Sequence, residues 1–136
     1  MVAISRNLKR LVYLISPKTI NKHFYSNLEK VLESKKVYFF QLRLKNKSQN
    51  EIIEIAKKIK IITRKYKVKL IINDSSLIAK KVNADGCHLG QKDESIDLAK
   101  KKLKNKIIGI TCHNSKELAL LALKKKCNYV AFGSFF

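Results

Sequence analysis

The sequence predicts an α/β fold in which helices cover a parallel sheet. Three observations carry this reading. Short, nearly all-apolar runs alternate with longer segments of helical periodicity along the 136 residues. The β-α unit recurs at a spacing of about 20 to 35 residues, which fits an open doubly wound sheet or a piece of a (β/α)₈ barrel. The chain has one proline, Pro17, and no low-complexity linker, so no domain boundary is expected and residues 1–136 read as a single domain.

Taken in order, residues 11–15 (LVYLI) are the first strand. Residues 22–34 follow as a helix, with Phe24, Leu28, Val31 and Leu32 on one face. The run 37–44 (VYFFQLRL) opens on aromatic and β-branched residues and reads as a strand. Residues 48–66 form the longest helix. Ser48 and Glu51 make a capping box, and Ile52, Ile55, Ile59 and Ile62 repeat every three or four positions. KLIIN, Lys69–Asn73, is the third strand, and residues 75–82 are a short helix capped by Asp74 or Ser75. Residues 85–89 (DGCHL) give a weak strand, 95–103 a helix, and 106–111 (KIIGIT) a strand. Residues 115–126 form the last helix, with Asn114 and Glu117 as a second capping box, and Tyr129–Phe132 is the sixth strand.

Composition narrows the functional classes. The balance of 30 Lys+Arg against 10 Asp+Glu gives a net charge of +20, which raises nucleic acid as a partner. The charge is nearly all Lys, however, and is spread along the predicted solvent faces. Recognition of bases and phosphates leans on the Arg fork, so no specific nucleic acid is expected. The apolar runs are too short and too interrupted by Lys to span a membrane. MVAISRNLKR lacks the pattern of a secretion signal. Cys87, Cys112 and Cys127 are an odd set without a C-x-x-C pair, so a reducing cytoplasm is the expected location. No G-x-G-x-x-G or Walker-type loop follows the first strand, so dinucleotide or nucleoside-triphosphate binding has no support.

In parallel β/α proteins, functional residues gather at the carboxyl ends of the strands. The second strand ends in Gln41, Arg43 and Lys45, which share a face while the strand lasts. Such donors suit a phosphate or pyrophosphate, and an amphipathic edge strand explains them equally well. The third strand ends in Asn73-Asp74. After the fourth strand, Gly90 permits a turn that can return Asp93 to the strand ends. Asp74 and Asp93 would then come from adjacent loops, and two carboxylates with several waters suit Mg²⁺. His113 fits an acid or base, or a polar loop residue near a helix start. The pairs Cys87-His88 and Cys112-His113 raise a zinc site, although neither has the usual spacing. Cys87 and Cys127 fit buried apolar positions better.

These pieces stand in a telling order: Gln41-Leu42-Arg43-Leu44-Lys45, then Asn73-Asp74, then Ala84-Asp85-Gly86-Cys87-His88-Leu89-Gly90-Gln91-Lys92-Asp93. Gly109-Ile110-Thr111-Cys112-His113 and Asn128-Tyr129 through Gly133 complete the set. Together, from Leu11 onward, they resemble the thiamine-phosphate synthase family. Its most specific segment is A-D-G-x-H-L-G-Q-x-D. The resemblance implies a (β/α)₈ TIM barrel of which about the first six strands are present. It implies a transferase of thiamine biosynthesis that joins hydroxymethylpyrimidine diphosphate to thiazole phosphate and releases pyrophosphate.

By position, the resemblance places Arg43, Lys45 and Asn73 on the diphosphate, with Gln41 lining the same pocket. Asp74 and Asp93 would ligate Mg²⁺. Thr111 stands where the family usually has a serine close to the reacting pyrimidine. Ser16-Pro17 replaces the more usual Thr-Asp. His113 stands where the sister thiazole tautomerases carry an acid/base histidine, although synthases often have one there too. The family continues past the sixth strand with a Thr-x-Thr-Lys loop and two glycine-rich phosphate turns, which these 136 residues do not contain. The chain is therefore expected to be C-terminally truncated, with open sheet edges that favour low stability, poor solubility or a homo-oligomer. The competing readings are a truncated tautomerase and an inactive basic remnant that binds nucleic acid non-specifically.

Overall fold

The computed structural model describes residues 10–133. Strands and helices alternate: β1 (Val12–Ile15), α1 (Phe24–Leu32), β2 (Val37–Leu42), α2 (Gln49–Lys65), β3 (Lys69–Asn73), α3 (Ser76–Val82), β4 (Gly86–Leu89), α4 (Ile96–Lys102), β5 (Ile107–His113), α5 (Lys116–Lys124) and β6 (Tyr129–Phe132). The final Phe135 and Phe136 lie outside the described residues. The strands are all parallel and lie in the order β1-β2-β3-β4-β5-β6. A doubly wound sheet reverses its order at a switch point. This one never reverses, so the choice left open by spacing falls to the barrel type. Successive right-handed crossovers then place the helices on one face.

The sheet is curled. The hydroxyls of Tyr13 on β1 and Tyr129 on β6 lie 2.6 Å apart. In a flat sheet, five strand spacings would separate those strands by about 24 Å, beyond the reach of two tyrosines.

Local sequence explains the helix starts. Ser48, Ser75, Ser95 and Ser115 are the N-caps of α2 to α5, and each hydroxyl accepts the amide three residues on. Ser48 and Glu51 form the expected capping box. The expected box at Asn114 and Glu117 does not form. The helix starts one residue later on Ser115, whose hydroxyl also bonds the Glu117 carboxylate. Two adjacent residues of good capping type compete there, and the backbone chooses the serine. On α1, Leu28 and Leu32 are buried as expected, but Val31 is 46% exposed. Only a narrow stripe of this short helix meets the sheet.

Strand residues alternate between two environments. Phe40, Leu42, Leu70, Ile72, Cys87, Leu89, Ile108 and Ile110 pack outward against Ala56, Ile59, Ile78, Ala79 and Ala99 of the helices. Their neighbours Gln41, Asn73, His88 and Thr111 face the concave side, where a cavity lies. The edges leave apolar surface uncovered at Val12 and Ile15 of β1, at Leu120, Leu121 and Leu123 of α5, and at Phe132 of β6. No helix among the described residues is long and apolar enough to cross a membrane.

Register is held at the amino ends of the strands by a repeated device. Asp85 donates its amide to the Leu70 carbonyl (2.9 Å) and accepts the Leu70 amide on its carboxylate (2.8 Å). Two strands further on, Asn128 does the same to Ile108, at 2.8 and 2.9 Å. Asp85 also accepts the Ile107 amide on its carbonyl, so it ties β3, β4 and β5 together. Replacing Asp85 with Ala should lower stability by about 1–3 kcal/mol, because the Leu70 amide loses its partner. Asp85→Asn should recover most of that, as Asn128 shows by doing the same task. Urea unfolding checks both: the midpoint should fall for Ala with little change in slope.

Candidate functional site

The concave face opens at the carboxyl ends of the strands into a cavity of about 500 Å³, lined among others by Tyr13, Gln41, Arg43, Asn73, His88, Thr111 and Tyr129. Its floor is aromatic. The Phe39 ring lies 5.3 Å from Tyr13 and 5.7 Å from Tyr129, centre to centre, and His88 stacks on Tyr129 at 5.6 Å. Gly109 makes room for this. A Cβ there would come within 2.0 Å of the Tyr129 ring, which sits directly across the pair Gly109–Tyr129 of the β5–β6 register.

A chain of hydrogen bonds crosses the floor. Gln41 Nε2 donates to the Tyr13 hydroxyl (2.8 Å), which meets the Tyr129 hydroxyl (2.6 Å). Tyr129 meets His88 Nδ1 at 2.9 Å, and His88 Nε2 meets Thr111 Oγ1 at 2.8 Å. Burial holds the His88 imidazole below its ordinary range against the opposing charge of Asp74, so the ring is neutral at neutral pH. Burial likewise pushes both phenols up, keeping them protonated.

The charged groups stand at the rim. Arg43 is exposed and lines the cavity, and its main chain is fixed by the buried Ser16. The Ser16 hydroxyl accepts the Arg43 amide (2.9 Å) and donates to its carbonyl (3.2 Å). Lys45 Nζ lies 2.8 Å from Asp74 Oδ2. Asp74 has a left-handed backbone (φ 65°), and its amide donates to the His88 carbonyl at 2.7 Å. Ser75 caps α3, so the Asp74 carboxylate is free of that role. Asp93 folds back as the turn allows, and its Oδ2 accepts the Gly90 amide at 2.7 Å. A Cβ on Gly90 would lie 2.9 Å from that oxygen, so the approach suits glycine. Asp74 is near enough to act on the Asp93 carboxyl. Desolvation is the main force raising its carboxyl, the Gly90 amide opposes it, and Asp74 raises it further. Two carboxylates from adjacent strand ends thus stand near one lysine.

The structure therefore brings Gln41, Arg43, Asn73 and Thr111 to one cavity, with Lys45, Asp74 and Asp93 around it. His113 is exposed, has φ 50° and does not line the cavity. The zinc pairs fail on alternation. Cys87 packs into the sheet–helix core while His88 faces the cavity, and Cys112 is buried while His113 is exposed. Burial pushes the Cys87 thiol up to about 12. No metal-binding group of three His, Cys, Asp or Glu side chains occurs among the described residues. Sequence reasoning gave Tyr13, Tyr129 and His88 no role at a cavity, and read Ser16 only as a departure from the family pattern. The period of two that joins Gln41 to Arg43 also links Tyr13 to Ile15 and Tyr129 to Ala131. That is the signal that would have found the tyrosines.

A sequential parallel β/α half-barrel with cations, amides and carboxylates at its strand ends defines a protein of the (β/α) barrel class. A family model described as thiamine monophosphate synthase matches residues 12–136. A thiamine-phosphate synthase of Pelagibacter ubique is 57% identical over 129 residues, covering 94% of this chain and 62% of that protein. One from Erythrobacter litoralis is 41% identical over 128 residues, covering 92% and 60%. The solved thiamine phosphate pyrophosphorylase of Pyrococcus furiosus superposes with a TM-score of 0.82 at 34% identity, covering 93% of this chain and 61% of its own. The chain belongs to the thiamine monophosphate synthase family, and it spans about three-fifths of the length of these relatives.

Gly109→Ala tests the floor. The added methyl should displace Tyr129 and cost about 1–3 kcal/mol by overpacking. Urea midpoints and the near-ultraviolet tyrosine circular dichroism should both move.

Proposed function

We propose that this chain carries the pyrimidine-diphosphate half of a thiamine-phosphate synthase site. The reaction joins hydroxymethylpyrimidine diphosphate to thiazole phosphate, giving thiamine phosphate and pyrophosphate. The observation that carries the reading is that Asp74 pairs with Lys45 and lies near Asp93, next in sequence to Asn73, which lines the aromatic cavity together with Arg43. Two neighbouring carboxylates fit a hard divalent cation that keeps several waters and shares a diphosphate. Asp74 and Asp93 would hold Mg²⁺, which when bound neutralises charge on the leaving pyrophosphate.

The chain's own residues do the remaining work. The Arg43 guanidinium and Lys45 ammonium bind diphosphate oxygens by charge-assisted hydrogen bonds, and the Asn73 amide adds a neutral donor. Ser16 holds Arg43 in place from behind. The Tyr13, Tyr129 and His88 rings offer flat faces to the pyrimidine. Gln41 and Thr111 offer polar contacts at its edges. Departure of pyrophosphate is largely dissociative, so the site acts by positioning and by stabilising charge as it develops. The thiazole nitrogen then captures the carbon. The position of His113 outside the cavity favours this reading over tautomerisation.

Calorimetry of the pyrimidine diphosphate against the 136-residue chain tests it. Binding should require Mg²⁺ and fall at least about 100-fold in Asp74→Ala or Asp93→Ala, and about 10-fold or more in Arg43→Ala. Binding that survives chelation and both aspartate replacements would sink the assignment. The uncovered apolar edges at β1 and at α5 and β6 support self-association. Size-exclusion chromatography with light scattering should show a mass above the 15.7 kDa of one chain. A compact monomer at all concentrations would rule that out.

A further inference from the structure

The hydrogen bonds across the cavity floor must obey a count of protons. Each phenol, the threonine hydroxyl and the neutral imidazole carry one hydrogen apiece on these atoms. Gln41 Nε2 donates to Tyr13, so the Tyr13 hydrogen is left for Tyr129. Tyr129 in turn donates to His88 Nδ1, and the His88 hydrogen then sits on Nε2 and points to Thr111 Oγ1. The opposite sense would leave Tyr13 accepting from both Gln41 and Tyr129, its own hydrogen without a side-chain partner among the described residues.

We infer that Tyr13 and Tyr129 are positioning residues that transmit the orientation of the Gln41 amide to the His88 tautomer, and so fix what Thr111 shows to the cavity. With His88 Nε2 donating to it, the Thr111 hydroxyl keeps its own hydrogen free, whereas the opposite tautomer would draw that hydrogen onto Nε2. The Thr111 hydrogen is thereby released toward the cavity. The ligand atom that suits this hydrogen is an acceptor, such as a bare nitrogen of a heteroaromatic ring. This ligand class rests on the pyrimidine reading above, whereas the locked tautomer does not.

The test is nitrogen NMR of the imidazole in the ligand-free 136-residue chain, near pH 8, above the ordinary imidazole range. His88 should show a protonated, pyrrole-type Nε2 and a bare, pyridine-type Nδ1. Gln41→Glu replaces the donor by a carboxylate of the same shape, so Tyr13 must donate to it and the chain reverses. His88 should then switch to the Nδ1–H tautomer. Adding Tyr129→Phe cuts the relay, and Gln41→Glu should no longer switch the ring. A His88 protonated on Nδ1 in the parent chain, or a tautomer indifferent to Gln41→Glu, overturns the inference. If Gln41→Glu does not fold, Tyr129→Phe alone decides: loss of the Nε2–H preference supports the relay and an unchanged tautomer overturns it. No substrate is present, so failure here and failure of Mg²⁺-dependent diphosphate binding are separate results.

Discussion

Successive residues of a strand point to opposite sides, and in this sheet that rule divides structure from chemistry. Leu42, Ile72, Leu89 and Ile110 face the helices and are buried there. Each stands next to a polar residue, Gln41 or Arg43, Asn73, His88 or Thr111, which the alternation turns into the cavity. Sequential parallel pairing then lines up the strand ends, so these side chains meet although they are as far apart in sequence as Tyr13 and Tyr129. A slip of one residue in any strand would bury its polar group under a helix and turn an apolar one into the site. The hydrophobic layer thus fixes the geometry of the polar one.

Much of this was legible in the amino-acid sequence. Lys69–Asn73 and Tyr129–Phe132 have the expected bounds because turn-forming residues flank short apolar runs. The long helix was readable from Ser48, Glu51 and its isoleucines. Neither face of a nearly all-apolar strand announces itself as the concave one, so the cavity floor was hidden. Tyr13 and Tyr129 look like ordinary strand aromatics until curvature brings β1 and β6 together. The fifth strand runs on to His113, past the expected end at Thr111, because it continues to pair with β6 at Phe132. The fold could be narrowed to two kinds of parallel sheet from spacing, and motif resemblance pointed to the barrel before strand order decided it.

The charge of the chain divides in a similar way. Most lysines lie on exposed helix and loop surface, and the ion pairs among them, such as Lys57–Glu54 and Lys65–Glu29, join exposed groups of little energetic weight. The site uses charge differently. Asp74 has a left-handed backbone and pairs with Lys45, and Asp93 is anchored by the Gly90 amide, so the loops constrain where both carboxylates stand. A net charge of +20 therefore says little about the chemistry, which depends on a few groups that the loops constrain.

The stapling of strands from below by Asp85 and Asn128 has a consequence for how such a protein can change. Because alignment is secured at the end opposite the cavity, the loops above can be lengthened, shortened or exchanged without disturbing which residues face inward. The two ends of the barrel are thereby uncoupled as targets of variation. One end preserves the frame, and the other is free to acquire new specificities by transplanted loops, whether the agent is selection or a designer.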